Sequence, residues 1–211
     1  MKIKKFTLKI VLIFLLVTKS YADSPLTSIE IWRAFPENLE IQNALKTKKM
    51  SNSTLEFILN EENSLELRIC VINALGWNMN SKKNNSRKLL KAILEKYRVK
   101  SIDKLNEKKN SEILSCYSYL YAMDNYLNMD KILSCTRQAV ALDPENKAVS
   151  FVYSLIQSQN YFLTKDWCKL YLTFENFKKK EFNFKNIDNN LIKLTSDYIN
   201  VYNKYCPKRV I

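Results

Sequence analysis

Histidine is absent from this chain of 211 residues, and glycine occurs once, at Gly76. Without histidine, the chain cannot form a Ser-His-Asp or Cys-His nucleophile pair, a histidine-ligated zinc site or an H-E-x-x-H metalloprotease motif. With one glycine, it cannot form a phosphate-binding P-loop or a G-x-G-x-x-G dinucleotide fingerprint, because each needs several residues without a Cβ. Most common catalytic designs are therefore excluded, and we expect no cofactor and no metal site.

Carboxylates are the remaining candidates for catalysis, since acid/base hydrolysis of a glycan needs only a pair of them. Two pairs lie close together in the sequence, Glu61 with Glu62 and Asp124 with Asp130. Each of these residues also has a structural explanation as a charge in a loop or in a helix cap, which we favour. The sequence therefore favours a protein that is not an enzyme, with a hydrolase as the alternative.

The first 22 residues have the pattern of a secretory signal peptide. Lysines precede an apolar run over residues 10–17, which is too short to span a bilayer of about 30 Å as a helix. Small residues, Ser20 and Ala22, stand where signal peptidase cleaves. We expect cleavage after Ala22, a single domain over residues 23–211 and a periplasmic or extracellular location. Such a chain has no integral membrane segment after cleavage and is not expected to bind nucleic acid.

Positive charge is in excess throughout the chain, with 34 basic and 21 acidic residues and a formal net charge of +13. Five of the lysines lie in the signal peptide, so the mature domain has a net charge of +8. Scattered lysines are normally a solvated surface, which is the interpretation we favour. A basic surface can also steer acidic partners, such as anionic lipid, a cell-wall polymer or an acidic protein.

Five cysteines lie in the mature part, where an oxidising compartment permits disulfides. The odd number leaves at least one unpaired, and there is no C-x-x-C pair to indicate a metal knuckle or a redox site. One disulfide and none are equally open. If one forms, we expect Cys116 with Cys135, because each lies near the middle of one of two consecutive predicted helices.

Helical periodicity dominates the chain, since apolar residues recur three and four positions apart and strict alternation is scarce. Capping sequences predict helix starts at Thr27 and Ser53, and Gly76 stands where a helix end needs a left-handed residue. Later helices are predicted over residues 111–126, 129–142, 146–161 and 166–177, the last followed by three consecutive lysines. About ten short helices result. The pattern predicts an all-α fold, either stacked helix hairpins of the α-solenoid kind or an irregular helical bundle.

One stretch, MDKILSCTRQAVALDPEN over residues 129–146, carries a closing pattern of a small residue, an apolar step, Asp-Pro and Asn. The residues of the pattern are Ala139, Leu142, Asp143, Pro144 and Asn146. Alanine permits close helix packing, while Asp-Pro ends one helix and begins the next. The stretch resembles the second helix and exit turn of a tetratricopeptide repeat, and the resemblance covers one helix pair over residues 111–146. It implies a helix hairpin of the kind that binds peptides or proteins.

Tyrosine side chains are candidates for a binding surface, because an apolar ring with a polar tip is enriched at protein interfaces. On a helical wheel of residues 111–126, Tyr119 and Tyr126 fall on the face opposite the main apolar stripe. These two tyrosines are the candidate binding residues. The alternative is burial against a neighbouring helix, which we favour in a chain with 12 tyrosines.

The signal peptide, the helical hairpins and the missing catalytic residues predict an exported helical protein that binds another envelope or exported protein of a bacterium. A narrower form of this hypothesis is an immunity or inhibitor protein that neutralises an exported effector. The alternative hypothesis is a cell-wall glycan hydrolase that uses paired carboxylates.

Overall fold

A computed structural model describes residues 24–77, 84–108, 110–182 and 187–207. The predicted signal peptide and its cleavage site after Ala22 lie outside these residues. Within them the chain forms ten α-helices, three 3₁₀-helices and no β-strand, which confirms the all-α prediction. None of the described helices is both long enough and apolar enough to cross a lipid bilayer.

The α-helices are numbered here in chain order. They are α1 (Pro25–Ser28), α2 (Leu39–Thr47), α3 (Asn52–Leu59), α4 (Leu65–Leu75), α5 (Asn85–Tyr97), α6 (Ser111–Asp124), α7 (Asp130–Leu142), α8 (Lys147–Leu163), α9 (Trp167–Lys179) and α10 (Asn189–Ile199). The 3₁₀-helices cover Ile31–Ala34, Ile102–Lys108 and Asn200–Tyr205. Helices α6 to α9 match the four predicted ones to within a few residues at each end.

Side-chain caps set the starts of most of these helices, including α6 and α8. Asn110 Oδ1 accepts a hydrogen bond from Ile113 N at 2.9 Å at the start of α6. Asn146 Oδ1 accepts one from Val149 N at 3.3 Å at the start of α8. Each bond satisfies an N–H group that has no partner within the helix. The Asn of the Asp-Pro-x-Asn sequence therefore begins α8.

Neither predicted capping sequence begins a helix at the expected residue, because Thr27 lies inside α1, which ends at Ser28, and Ser53 is two residues beyond the cap of α3. Ser24 caps α1, its N–H donates to Thr27 Oγ1 at 3.0 Å, and Pro25 fits the first helical position, where no N–H is needed. Ser51 caps α3, because its Oγ accepts from Thr54 N at 3.1 Å. Thr27 thus supports the cap of α1 from inside the helix.

Two helices form the centre of the molecule. Nearly every side chain of α4 and α6 is buried, around the whole circumference of each helix. Helix α6 packs against α4, α5, α7 and α8, and the consecutive helices α6 to α9 pack in pairs. The apolar residues of all these elements form one continuous core. The fold is a helical bundle with packed helix pairs, in which α6 has no solvent-facing side.

Gly76 ends α4 as predicted, with a φ of +75°. Glycine suits this region of backbone because it has no Cβ. Lys48 Nζ donates to Ala74 O at 2.9 Å, so a side chain from the end of α2 caps the last turn of α4. The next residue, Trp77, packs edge-on against the ring of Tyr126, with 5.3 Å between the ring centroids.

The predicted disulfide between Cys116 and Cys135 is wrong. Both cysteines are free and buried, and the disulfide of the structure joins Cys168 to Cys206. It ties the first turn of α9 to the residue that follows the last 3₁₀-helix. Beside it, the ring of Trp167 stacks on Tyr202, with 5.8 Å between the ring centroids.

Cys116 and Cys135 form no disulfide because their thiols lie on different sides of α6. Cys116 is close enough to Arg68 of α4 for the guanidinium charge to act on its thiol. The thiol of Cys135 lies beside Ser118, two residues further along α6 than Cys116. Two residues correspond to about 200° of rotation around an α-helix. The thiol of Cys135, which belongs to α7, therefore lies against nearly the opposite side of α6 from the thiol of Cys116.

Candidate functional site

Neither candidate binding tyrosine is at the surface, so the binding role considered for Tyr119 and Tyr126 is wrong and the burial that we favoured from the sequence is confirmed. Their exposed fractions are 1% and 2%. Tyr119 OH accepts a hydrogen bond from Asn73 Nδ2 at 3.0 Å, and burial raises the pKa of its hydroxyl. The physical reason is that α4 covers the side of α6 that carries Tyr119, while the ring of Trp77 packs against Tyr126 just beyond the end of α6. Both rings therefore belong to the core.

Four glutamates line one surface cleft of about 320 Å³. These residues, Glu61, Glu62, Glu66 and Glu112, define the glutamate cleft. Glu66 lies in the first turn of α4 and Glu112 in the first turn of α6. The positive end of a helix dipole stabilises negative charge in this position. The starts of α4, α6 and α8 converge here, which explains why like charges gather.

An ion pair joins this cleft to the core of the bundle. Arg68 is fully buried, and its Nη2 donates to Glu112 Oε2. The other oxygen of Glu112 accepts from Asn146 Nδ2 at 3.2 Å, and the same amide donates to Asp143 Oδ2 at 3.1 Å. Arg68 Nε and Nη1 have no hydrogen-bond partner in the described part of the chain. Glu112 is therefore the charge partner that allows Arg68 to stay buried.

The two glutamates predicted as a pair, Glu61 and Glu62, are both in the cleft, but Glu61 is engaged in other contacts. Tyr97 OH donates to Glu61 Oε1, and Lys96 Nζ lies 3.8 Å from the same oxygen. Asn110 Nδ2 also donates to Tyr97 OH, at 2.9 Å. Burial and the charge of Glu61 raise the pKa of the Tyr97 hydroxyl.

The pKa of Glu66 is raised above its ordinary value. Partial burial is the largest cause, and the nearby negative charge of Asp188 adds to it. A hydrogen bond that Asp188 N donates to Glu66 Oε1, at 2.9 Å, acts in the opposite direction. Glu66 and Glu112 thus line one cleft in different surroundings, the first partly buried and the second ion-paired with Arg68, and such a difference between two carboxyl groups is compatible with acid/base hydrolysis.

The second predicted carboxylate pair lies in two different surroundings. Asp124 is buried, with an exposed fraction of 1%, and its Oδ2 accepts from Ser86 N at 2.7 Å in the first turn of α5. Asp130 is exposed at the first position of α7. Both are explained by helix starts. No group of three or more His, Cys, Asp or Glu side chains in the described ranges is arranged to hold a metal ion.

An apolar groove with a volume of about 240 Å³ lies between α7, α8 and the end of α9. Its walls include Val140, Ser150, Tyr153, Phe177, Lys180 and Phe182. We call it the α7–α9 groove. It differs from the glutamate cleft in that its accessible surface is mostly apolar and that, among the described residues, Lys180 supplies the charge on its wall.

The floor of the α7–α9 groove is a cluster of aromatic rings. The ring of Phe177 lies 5.7 Å from Phe151, 5.5 Å from Phe174 and 5.9 Å from Phe182, measured between centroids. Phe151 and Phe174 are fully buried, so their rings are held by the core. A cavity built on packed aromatic side chains keeps its shape when it is empty.

The rim of the groove is positively charged. Lys147 Nζ lies 6.0 Å and Lys180 Nζ 4.7 Å from the centroid of the same ring, Phe182. Lys180 Nζ also donates to Pro144 O at 2.7 Å. Neither ammonium forms an ion pair with a carboxylate of the described residues. Inside the groove, Ser150 is 7% exposed, and its Oγ has no hydrogen-bond partner among those residues.

The sequence contained one signal for this groove, the three lysines Lys178, Lys179 and Lys180 followed by Phe182. Lysines interleaved with aromatic residues are compatible with a binding rim, but periodicity alone cannot show which apolar side chains remain accessible. Comparisons of the chain with protein-family models, curated proteins and solved structures find no match. A role for either candidate site therefore has to be inferred from the residues that form it.

Proposed function

We propose that this protein works by binding another protein of the bacterial cell envelope, and that the α7–α9 groove receives a segment of that partner. The observation that carries the proposal is the apolar cavity of about 240 Å³ with a packed aromatic floor and a basic rim. Pockets for small ligands usually have volumes of about 300–1,000 Å³. The groove is smaller, which suits a single large side chain of a protein partner.

The resemblance to a tetratricopeptide repeat supports this proposal. The residues that carry it, 129–146, form α7 and the turn into α8, and these elements supply one wall of the groove. Members of that family bind peptides or proteins. The narrower form of the proposal is an immunity or inhibitor protein that neutralises an exported effector.

Export is part of the proposal. The basic start, the short apolar run and the small residues Ser20 and Ala22 support cleavage after Ala22 and a periplasmic or extracellular location. N-terminal sequencing of protein taken from the cell envelope should begin at Asp23. Recovery of the intact Met1 terminus from that fraction would contradict the proposed location.

Site-specific crosslinking tests the groove. A photoreactive phenylalanine analogue replaces Tyr153, which lines the groove, or Tyr171 of α9, which is also half-buried but does not line it. In living cells, we expect Tyr153 to yield one protein adduct and Tyr171 to yield none. Adding Val140→Trp, which fills the cavity, should remove the adduct. Identical adducts from both positions, or an adduct unaffected by Val140→Trp, would exclude the groove as the binding site.

The glutamate cleft supports a second candidate function, hydrolysis of a cell-wall glycan. Glu66 would act as the general acid because burial raises its pKa, and Glu112, which forms an ion pair with Arg68, would be the second carboxylate. Glu66→Gln tests this candidate with purified peptidoglycan as the substrate. If the protein is a hydrolase, Glu66→Gln abolishes turnover and leaves the fold intact. If wild-type protein releases no soluble fragments, the hydrolase hypothesis is wrong.

A further inference from the structure

The rim of the α7–α9 groove brings two positive charges to one aromatic ring. Lys147 begins α8 and Lys180 follows the end of α9, and both ammonium groups lie within 6.0 Å of the centroid of Phe182. The face of an aromatic ring attracts cations, so the ring holds both groups at the rim. Two like charges beside the same ring repel each other. An anion bound beside them gains attraction from both and removes part of that repulsion.

The interior of the groove offers a mostly apolar surface to a bound segment. Ser150 lines the cavity, but it is more than nine-tenths buried and its Oγ is closed off from solvent. A bound segment therefore places an apolar side chain inside the groove, and its charged group lies at the rim, beside Lys147 and Lys180.

We infer that the partner segment carries a large apolar side chain with a carboxylate next to it in the sequence. The apolar side chain enters between Val140, Tyr153 and Phe177, and the carboxylate lies between Lys147 and Lys180. This inference rests on the proposed function, because it names the chemistry of the partner for the same groove. The excess of basic residues in the mature domain, a net charge of +8, speeds the approach of such an acidic segment.

Selection from a random peptide library tests this chemistry. A library of displayed twelve-residue peptides is panned against the purified protein, and the enriched peptides are synthesised with a fluorescent label. We expect enriched sequences to combine Phe, Leu, Ile or Met with a neighbouring Asp or Glu. Replacing that acid by its amide should weaken binding to the wild-type protein by about tenfold, as for the loss of about 1.4 kcal/mol.

Reversing the charge of a rim lysine tests the same contact from the side of the protein. Lys147→Glu should lower the affinity of the acidic peptides by about tenfold or more. It should also remove the difference in affinity between the acid and amide peptides. Lys131→Glu is the control, because Lys131 also lies in the first turn of a helix, α7, with its Nζ 5.9 Å from the ring of Tyr121. It makes the same charge change away from the groove and should alter affinity less than about twofold.

The outcomes separate this inference from the proposed function. Enriched peptides that are neutral or basic, but are still blocked by Val140→Trp, would overturn the acidic partner and leave the groove as a binding site. Peptides whose affinity falls equally with Lys147→Glu and with Lys131→Glu would also overturn the acidic partner. If no peptide is enriched, or if Val140→Trp leaves the enriched peptides bound, both the inference and the proposed function of the groove are wrong.

Discussion

The guanidinium of Arg68, fully buried in α4, forms an ion pair with Glu112 at the start of α6. This pair joins the two central helices of the bundle. Through Asn146, which donates to Glu112, it also reaches the first turn of α8. The same carboxylate therefore neutralises a buried charge and lines the glutamate cleft. Any role of Glu112 in chemistry has to be separated from its role in the fold.

Glu112→Gln should destabilise the protein by about 3–5 kcal/mol, because it leaves the Arg68 charge buried without a counter-charge. Chemical denaturation at neutral pH measures the free energy of unfolding. The control is Glu95→Gln, since Glu95 pairs with Lys91 at 3.8 Å on an exposed surface, and should cost less than about 0.5 kcal/mol. Equal effects of the two variants would mean that Arg68 is not buried as described.

Glu66→Gln should change the pH dependence of stability. Burial raises the pKa of Glu66 in the folded state, so the folded protein holds this proton more tightly than the unfolded chain. The corresponding stability is present below the unfolded pKa, about 4.3, and is lost as the pH rises through the folded pKa. The variant should therefore be more stable than the wild type at pH 7, and the difference should close as the pH falls toward about 4.

Melting temperatures of wild type and Glu66→Gln between pH 4 and 8 provide the measurement. Glu62→Gln is the control, because Glu62 lines the same cleft but is exposed, and it should give a parallel curve. A difference between Glu66→Gln and wild type that is constant over the whole range would contradict the raised pKa.

Thiol labelling should distinguish the three free cysteines from the disulfide. Burial raises the pKa of Cys116 and of Cys135 to about 11 each, and also raises that of Cys70. Because the thiolate is the reactive form, the native protein at pH 8 should take up no iodoacetamide. Unfolded protein should take up three equivalents without reductant and five after reduction. A bridged peptide pair containing Cys116 and Cys135 would contradict the structure.

Tyr119→Ala should destabilise the protein by about 3–5 kcal/mol, as expected for a large aromatic side chain removed from a core. Tyr119→Phe keeps the ring and loses only the hydroxyl that accepts from Asn73, so it should cost about 1 kcal/mol. Urea denaturation of both variants gives the comparison. Leu39→Ala is the control, since Leu39 is 80% exposed and should have almost no effect. A Tyr119→Ala protein as stable as the wild type would place this ring at the surface.

The fold class was predictable because it depends on local properties of the chain. Apolar spacing indicated helices, and α6 to α9 formed over the expected residues. Gly76 ended α4 because the backbone there needs a positive φ, which is a property of one residue and its neighbours. The Asp-Pro-x-Asn sequence ended α7 and began α8 for the same kind of local reason.

Tertiary packing decided the features that depend on contacts between helices distant in sequence. Tyr119 is buried because α4 covers the far side of α6, and a helical wheel of α6 contains no information about α4. Cys168 and Cys206 are 38 residues apart in sequence, and only the packing of the last 3₁₀-helix against α9 brings their sulfurs together. The α7–α9 groove likewise exists because three helices leave a space above Phe177. Sequence alone thus determined the helices, through interactions within a few residues, whereas the core, the disulfide and the groove arise from contacts between distant segments.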